Sequence, residues 1–255
     1  MALTSFNRII AQLAEKHPNK VALSCGDDHI THKALDQQTN RLARAYQQQG
    51  INANALVTIA LPNSIEFFAA CIALWKLGAT PQPVSYRLPK KELQAIVALA
   101  DSPVIIGVDP DCFPERKTIP PGFIPAAELS DKPLPDIVAR HWKAPTSGGS
   151  TGRPKLIVSA VPAELDPEIA SPVKQVADRV VLIPGLLYHN APFSWAMEGL
   201  LRGNHIVVMK KFDALETLRL IEQYRVDWVV VVPTMMQRIW RLPPEERGRY
   251  QLSSL

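Results

Sequence analysis

The sequence predicts an α/β protein in which mostly parallel sheets are flanked by helices. Short apolar strands alternate with amphipathic helices along the chain, a pattern typical of parallel sheets covered on both faces. Apolar residues make up 47% of the 255 residues and charged residues 20%, as in ordinary globular proteins. A segment with seven prolines, residues 109–136, interrupts the alternation. We therefore predict two related lobes, 1–136 and 137–255.

The first lobe is predicted to begin with a helix and a hairpin and then to alternate. The predicted elements are a helix over 5–16, hairpin strands over 21–25 and 29–31, a helix from Thr31 to Gly50, a strand over 56–61, a helix ending at 77–78, an extended segment over 81–84, a helix over 90–100 and a strand over 104–108. Thr31 is a suitable N-cap residue, and Asn63 followed by Glu66 has the spacing of a capping box. The proline-rich segment is interpreted as a surface excursion, with a domain linker as the alternative.

The second lobe resumes the same alternation. Strands are predicted over 156–160, 180–184, 205–209 and 228–232, and helices over 194–202, 213–224 and 234–240. Pro243 and Pro244 end the last helix, because proline cannot continue a helical hydrogen-bond pattern.

Composition and spacing exclude several classes of function. The net charge of +4 comes from scattered Lys and Arg residues, so no nucleic-acid partner is expected. The three cysteines form no CxxC pair and the histidines lack ligand spacing, so neither a metal site nor a disulfide framework is indicated. No apolar run approaches the ~20 residues of a membrane span, and no secretory signal is recognised, so we expect a cytoplasmic protein.

The segment with the clearest chemical signature is TSGGSTGRPK, residues 146–155. Its glycines free the backbone to turn and present N–H groups, while hydroxyls and a lysine add donors that suit phosphate oxygens. The candidate phosphate-binding residues are Ser147, Gly148, Gly149, Ser150, Thr151, Gly152 and Lys155. A flexible Gly/Ser loop is the alternative. The P-loop of ordinary NTPases does not fit, since no Ser or Thr follows the lysine.

This segment resembles the phosphate loop of the adenylate-forming superfamily, which contains acyl- and aryl-CoA synthetases, luciferases and the adenylation domains of peptide synthetases. The usual loop has a hydroxyl residue where Gly148 stands, and the paired glycines are compatible with the acyl-CoA synthetase/ligase branch. Weaker similarities at 30–43, 61–67, 77–93 and 232–235 follow in the family's order, so the resemblance covers nearly the whole chain.

The resemblance implies an ATP-dependent carboxylic acid–CoA ligase with ATP, Mg²⁺ and coenzyme A as cofactors. A small carboxylic acid would be adenylated and then passed to the thiol of coenzyme A. His189 would lie near the carboxylate and the adenylate, and Asn190 and Phe193 would border the substrate pocket. The alternatives are a structural histidine after the strand at 180–184 and a core position for Phe193.

The resemblance also implies a longer parent protein. The family's Tyr-Gly-x-Thr-Glu segment and its C-terminal lysine domain do not occur within the 255 residues. We therefore expect a truncated part of the large N-terminal domain, inactive as an isolated chain. It would be a fragment, a split-enzyme subunit that needs a complementing C-terminal half, or a non-catalytic nucleotide- or acyl-binding module. Unpaired sheet edges predict self-association.

Overall fold

The computed structural model of the chain describes residues 3–147 and 154–255. Within these residues the strands are, in chain order, β1 (Thr4–Ser5), β2 (Val21–Cys25), β3 (Asp28–Thr31), β4 (Leu56–Ile59), β5 (Thr80–Pro83), β6 (Val104–Ile106), β7 (Lys117–Ile119), β8 (Thr146–Ser147), β9 (Lys155–Leu156), β10 (Glu164–Leu165), β11 (Val180–Ile183), β12 (His205–Val208) and β13 (Trp228–Val229). The helices are α1 (Phe6–Lys16), α2 (His32–Gln48), α3 (Ile65–Lys76), α4 (Lys90–Ala100), α5 (Asn190–Leu201), α6 (Ala214–Tyr224), α7 (Pro233–Trp240) and α8 (Pro244–Arg247). The predicted α/β class is confirmed.

The chain divides into two compact units, each built from separated stretches of sequence. The first comprises Met1–Lys20, Thr31–Pro62 and Glu66–Glu168, and the second comprises Val21–Ile30, Asn63–Ile65 and Ile169–Leu255. These bounds differ from the predicted lobes, because the early hairpin pairs with strands from late in the chain. The division into lobes 1–136 and 137–255 stays a prediction.

The larger sheet of the first unit is parallel, in the order β5-β4-β6-β7. Helix α3 is predominantly apolar, and every residue from Phe67 to Lys76 is buried, as expected for a helix enclosed by other elements. The proline-rich segment was predicted as a surface excursion, but it also contributes β7, which pairs with β6 in parallel. Three main-chain partners, Val104 with Lys117 through Ile106 with Ile119, explain why this short stretch is extended.

The five-stranded sheet of the second unit has the order β13-β11-β12-β2-β3. Strands β11, β12 and β13 pair in parallel, and β12 pairs in parallel with β2. The predicted hairpin of β2 and β3 is confirmed, and Gly26 in its turn has a φ of 64°, a conformation that glycine adopts without steric cost.

Side-chain caps fix the starts of several helices. At the starts of α1, α2 and α6, the side chains of Ser5, Thr31 and Asp213 each accept a hydrogen bond from the main-chain N–H three residues later in the sequence. The predicted Thr31 cap is thus confirmed, and the predicted ends of α4 agree with the structure. Among the helices of residues 3–147 and 154–255, none has the length and hydrophobicity of a membrane span.

The predicted capping box at α3 is wrong. The Asn63 amide nitrogen donates to the carbonyl oxygens of Gly185 and Met209, both at 2.8 Å, and its oxygen accepts from the Leu187 N–H at 2.8 Å. The Glu66 carboxylate accepts from the Gly122 N–H at 2.8 Å. The spacing of Asn63 and Glu66 suggested a local cap, but both side chains form hydrogen bonds with main-chain groups that are distant in the sequence.

Candidate functional site

The predicted phosphate loop connects two antiparallel strands of the first unit. Strands β8 and β9 place Ser147 directly opposite Lys155. Residues Gly148, Gly149, Ser150, Thr151 and Gly152 lie outside the described residues. The two ends of the candidate loop are therefore brought together, and the loop is the connection of a hairpin.

The strand predicted over 156–160 is shorter than expected. Only Lys155 and Leu156 form β9, although Ile157 still donates to the Pro145 carbonyl at 2.8 Å and Ser159 to the Lys143 carbonyl at 3.0 Å. These two hydrogen bonds continue the pairing of the two chain segments beyond β8 and β9, although the segments are not regular strands there. Of the predicted strand, only Leu156 lies in β9, and β9 pairs with β8 in an antiparallel sheet of two strands.

The side chains of Ser147 and Lys155 lie on the same face of the hairpin, since opposed residues of an antiparallel pair point to one side. Lys155 is exposed, and its ammonium makes no hydrogen bond or ion pair with any residue that the structure describes. This positive charge can therefore bind an anion without first breaking a contact within the described part of the chain.

Two buried polar side chains hold the hairpin against the sheet of the first unit. The Gln82 amide nitrogen donates to the Thr146 hydroxyl at 3.2 Å, and the Gln82 oxygen accepts from the Thr58 hydroxyl. The Ala144 N–H also donates to the Pro81 carbonyl at 3.0 Å. Sequence reasoning missed Gln82 and Thr58, although a glutamine within a short buried strand was a visible signal.

His189 is the N-cap residue of α5, which begins four residues earlier than predicted. Its N–H donates to the Leu186 carbonyl at 3.0 Å, and its ring lies 4.4 Å from the Tyr188 ring. Partial desolvation lowers the pKa of the His189 imidazole, so the neutral form prevails at pH 7. A helix N-terminus also favours negative charge in front of it. The N–H of a neutral imidazole at this position can donate a hydrogen bond to a carboxylate.

The two predicted pocket residues both lie in the first turn of α5 but differ in burial. Asn190 is exposed in the first turn of α5, whereas Phe193 is 1% exposed and belongs to the core of the second unit. A pocket role for Asn190 agrees with its exposure. Phe193 lies in the core, which was the alternative to a pocket role, and its contribution to a substrate pocket stays a prediction.

Asn63 determines the course of the chain at the carboxyl edge of the five-stranded sheet. Gly185 and Leu187 follow β11, and Met209 follows β12, so one amide binds the ends of two strands. The bound segment after β11 leads directly to His189. Asn63 is therefore a residue that positions the candidate site, and sequence reasoning assigned it to the wrong partners.

A family model described as "AMP-binding enzyme" matches residues 10–255 of the chain. Among curated proteins, 2,3-dihydroxybenzoate-AMP ligase from Bacillus subtilis is 28% identical, over 98% of this chain and 51% of that protein. Feruloyl-CoA synthase from an Amycolatopsis species is 27% identical, over 89% of this chain and 48% of that protein. The chain thus spans about half the length of these curated relatives.

A solved structure of similar fold is the inhibitor-bound N-terminal domain of FACL13 from Mycobacterium tuberculosis. Its TM-score is 0.82 at 20% sequence identity, and the match covers 98% of this chain and 68% of that domain. Similarity at this level of identity supports the fold.

Proposed function

The chain belongs to the AMP-binding enzyme family, and from this membership we propose that it forms the phosphate-binding part of an enzyme that activates a carboxylic acid. In the proposed reaction a carboxylate oxygen of the acid attacks the α-phosphorus of ATP. The bond to the bridging oxygen breaks, an acyl-adenylate forms and pyrophosphate leaves. In a second step the thiol of coenzyme A attacks the acyl carbon, and AMP and a proton are released.

The observation that carries the proposal is the hairpin with Lys155 opposite Ser147. Its exposed ammonium is suited to the β- and γ-phosphate oxygens, where negative charge grows as pyrophosphate leaves. A hydrogen bond to a charged group contributes about 1.5–3 kcal/mol, and a donor aimed at developing charge lowers the barrier. The proposed loop donors of 148–152 would complete this half of the nucleotide site.

His189 is proposed to act on the acid. Its neutral imidazole, at the N-terminus of α5, would donate a hydrogen bond to the substrate carboxylate and hold it for in-line attack. An imidazolium would instead neutralise the nucleophile by ion pairing. Asn190 is the next residue, is exposed, and would contact the rest of the acid.

Mg²⁺ would neutralise phosphate charge when bound with ATP. Within residues 3–147 and 154–255 no cluster of three or more His, Cys, Asp and Glu side chains could hold a metal, so we assign it no protein ligand here. Two relatives carry names that specify aromatic acids, 2,3-dihydroxybenzoate and ferulate. We therefore propose an aromatic carboxylic acid as substrate and, on the feruloyl-CoA synthase similarity, coenzyme A as the acceptor.

The test replaces Lys155 with alanine in the full protein to which the chain belongs. We expect acid-dependent ATP–pyrophosphate exchange to fall about 100-fold, as when a donor to transition-state charge is removed. The melting temperature should not change, because the Lys155 side chain is exposed. The acids to assay are 2,3-dihydroxybenzoate, ferulate and benzoate.

The matched control is Lys91→Ala, which removes an exposed lysine from α4 of the same unit. Its exchange rate should equal that of the wild type. Full exchange by a folded Lys155→Ala protein would remove Lys155 from the nucleotide site. A wild-type protein that shows no exchange with any carboxylic acid would overturn the proposed function itself.

A further inference from the structure

The first unit contains a pocket of about 330 Å³ between its first three long helices and the proline-rich segment. Its charged lining residues are Arg8 on α1, Asp36 on α2, Lys76 at the end of α3 and Asp136. Every lining residue belongs to the first unit, and none of them lies in the candidate functional site described above. The volume is near the lower end of the range of about 300–1,000 Å³ that is usual for small-molecule sites.

The most buried part of the pocket lining is an ion pair. The Lys76 Nζ lies 2.6 Å from the Asp36 Oδ1 and 2.6 Å from the Asn40 Oδ1. The side chains of Lys76 and Asp36 are 5% and 11% exposed, and both line the pocket. An apolar group placed against them would remove water from a charged pair and form no hydrogen bond in its place. This part of the pocket therefore favours the polar end of a ligand.

Two exposed side chains of opposite charge lie at the same pocket. Among the residues that the structure describes, the Arg8 guanidinium has no hydrogen-bond or ion-pair partner. The Asp136 carboxylate accepts a single described hydrogen bond, which comes from the Ser5 hydroxyl. With two positive and two negative residues the lining has no net charge. An exposed cation and an exposed anion that are not paired with each other match the two ends of a zwitterion.

Arg8 and Asp136 lie close together because both contact the hydroxyl of Ser5. The Ser5 Oγ accepts from the Arg8 main-chain N–H at 3.1 Å and donates to the Asp136 carboxylate. The Asn7 amide nitrogen also donates to the Ile137 carbonyl at 3.0 Å. These contacts join α1 to the end of the proline-rich segment, so the two walls are fixed before a ligand binds. A fixed site loses less conformational freedom on binding, which favours affinity.

The remaining wall of the pocket is largely apolar. Ala11, Pro133 and Leu134 line it, and none of these side chains can form a hydrogen bond. Water alone is a poor match for the pocket, because one water takes up about 30 Å³ and gains nothing from an apolar wall. A matching ligand therefore has a charged end of both signs and a short hydrocarbon part.

We propose that this pocket binds a free α-amino acid with an apolar side chain. Its carboxylate pairs with the Arg8 guanidinium, whose planar N–H groups suit two parallel hydrogen bonds to a carboxylate. Its ammonium pairs with the Asp136 carboxylate, and its side chain covers the apolar wall. The bound amino acid would bridge α1 and the proline-rich segment, so it would stabilise the folded protein as any ligand of the native state does.

The test measures binding of L-leucine by calorimetric titration to the full protein to which the chain belongs. Two analogues keep the hydrocarbon part and lack one charge each: 3-methylbutylamine has no carboxylate, and 4-methylpentanoate has no ammonium. We expect saturable binding of leucine with a Kd of about 1 mM or tighter, and binding at least about tenfold weaker for each analogue. No saturable binding of leucine, or an analogue that binds as tightly as leucine, would overturn the proposal.

Two variants assign the binding to this pocket. Arg8→Gln removes an exposed positive charge, and Asp136→Asn removes an exposed negative charge but keeps an oxygen that can accept from Ser5. Each should weaken leucine binding at least about tenfold without lowering the melting temperature of the free protein. Lys16→Gln, at an exposed position of the same helix outside the pocket, is the control and should bind as the wild type does. Wild-type affinity in Arg8→Gln or in Asp136→Asn would refute the site.

Discussion

Buried side-chain amides lie at both edges of the five-stranded sheet, but they are fully hydrogen-bonded at one edge and partly hydrogen-bonded at the other. At the carboxyl edge the Asn63 amide uses its nitrogen for two carbonyls and its oxygen for one N–H, and all three partners are main-chain groups. At the amino edge the Asn204 oxygen accepts from the Arg179 N–H and the Gln175 nitrogen donates to the Trp195 carbonyl, whereas the Asn204 nitrogen and the Gln175 oxygen are buried without a hydrogen-bond partner in the described part of the chain. An amide that is fully bonded stabilises the fold. An amide that is half bonded leaves a buried polar atom unpaired, which lowers the stability of the fold.

The largest expected effect comes from removing the fully bonded amide with Asn63→Ala. Gly185, Leu187 and Met209 would each lose a partner in a buried setting, and each unsatisfied group costs about 1–3 kcal/mol. We expect the free energy of unfolding to fall by about 3–5 kcal/mol in urea titrations followed by tryptophan fluorescence.

Asn52→Ala is the matched control, because the exposed Asn52 amide makes a single local bond to the Gly50 carbonyl at 3.2 Å. Its effect should stay within about 0.5 kcal/mol, as for an ordinary surface substitution. If both variants lost the same stability, the carboxyl edge would not depend on Asn63, and the contrast between the two edges would fail.

A smaller effect is expected at the amino edge from Gly199→Ala. The new Cβ would lie 2.9 Å from the Ile206 Cδ1 and 3.0 Å from the Gln175 Oε1, so neighbouring atoms must move. Overpacking of this kind costs about 1–3 kcal/mol. The same titration in urea measures the loss. A Gly199→Ala variant as stable as the wild type would show that the side chains of Ile206 and Gln175 move aside without cost.

The smallest expected effect is a dependence of stability on pH at the carboxyl edge. The folded pKa of His189 lies below its unfolded value near 6.5, so the unfolded chain binds more protons between these two values. The free energy of unfolding should therefore fall as the pH drops below about 6.5 and level off below the folded pKa. His189→Gln should remove this part of the dependence, which the difference between the two stability–pH curves measures. Parallel curves would mean that His189 is not desolvated.

Local pattern predicted most of the elements. Periodicity and the N-cap of Thr31 located α2, and the end positions of α4 and the hairpin of β2 and β3 agreed with the structure. The strands at 156–160 and 228–232 were predicted to be longer than they are. An apolar run indicates a buried strand, but the length of the strand depends on where its pairing partner ends, and the run carries no information about that. Pairing of β2 with β12 has no local signal at all.

The candidate site was less predictable than the fold. The run of glycine and hydroxyl residues identified the segment at 146–155 in the sequence. The structure then showed that Ser147 and Lys155 lie opposite each other in the hairpin. Asn63 was assigned to a cap because a partner three residues away is visible in sequence, whereas partners 122 to 146 residues away are not. Gln175 and Asn204 lie in irregular segments without any motif, so only coordinates could reveal their unpaired atoms.

The place of β2 in the sheet also affects how the chain is made. Ser24 and His205 are hydrogen-bonded at 2.8 Å although 181 residues separate them. A ribosome adds about 5–20 residues per second, so the strand Val21–Cys25 emerges on the order of 10 s before its parallel partner exists. During that interval its buried face and its free edge are open to other chains. The speed of translation and the supply of chaperones can therefore limit the yield of folded protein, whatever the stability of the finished sheet.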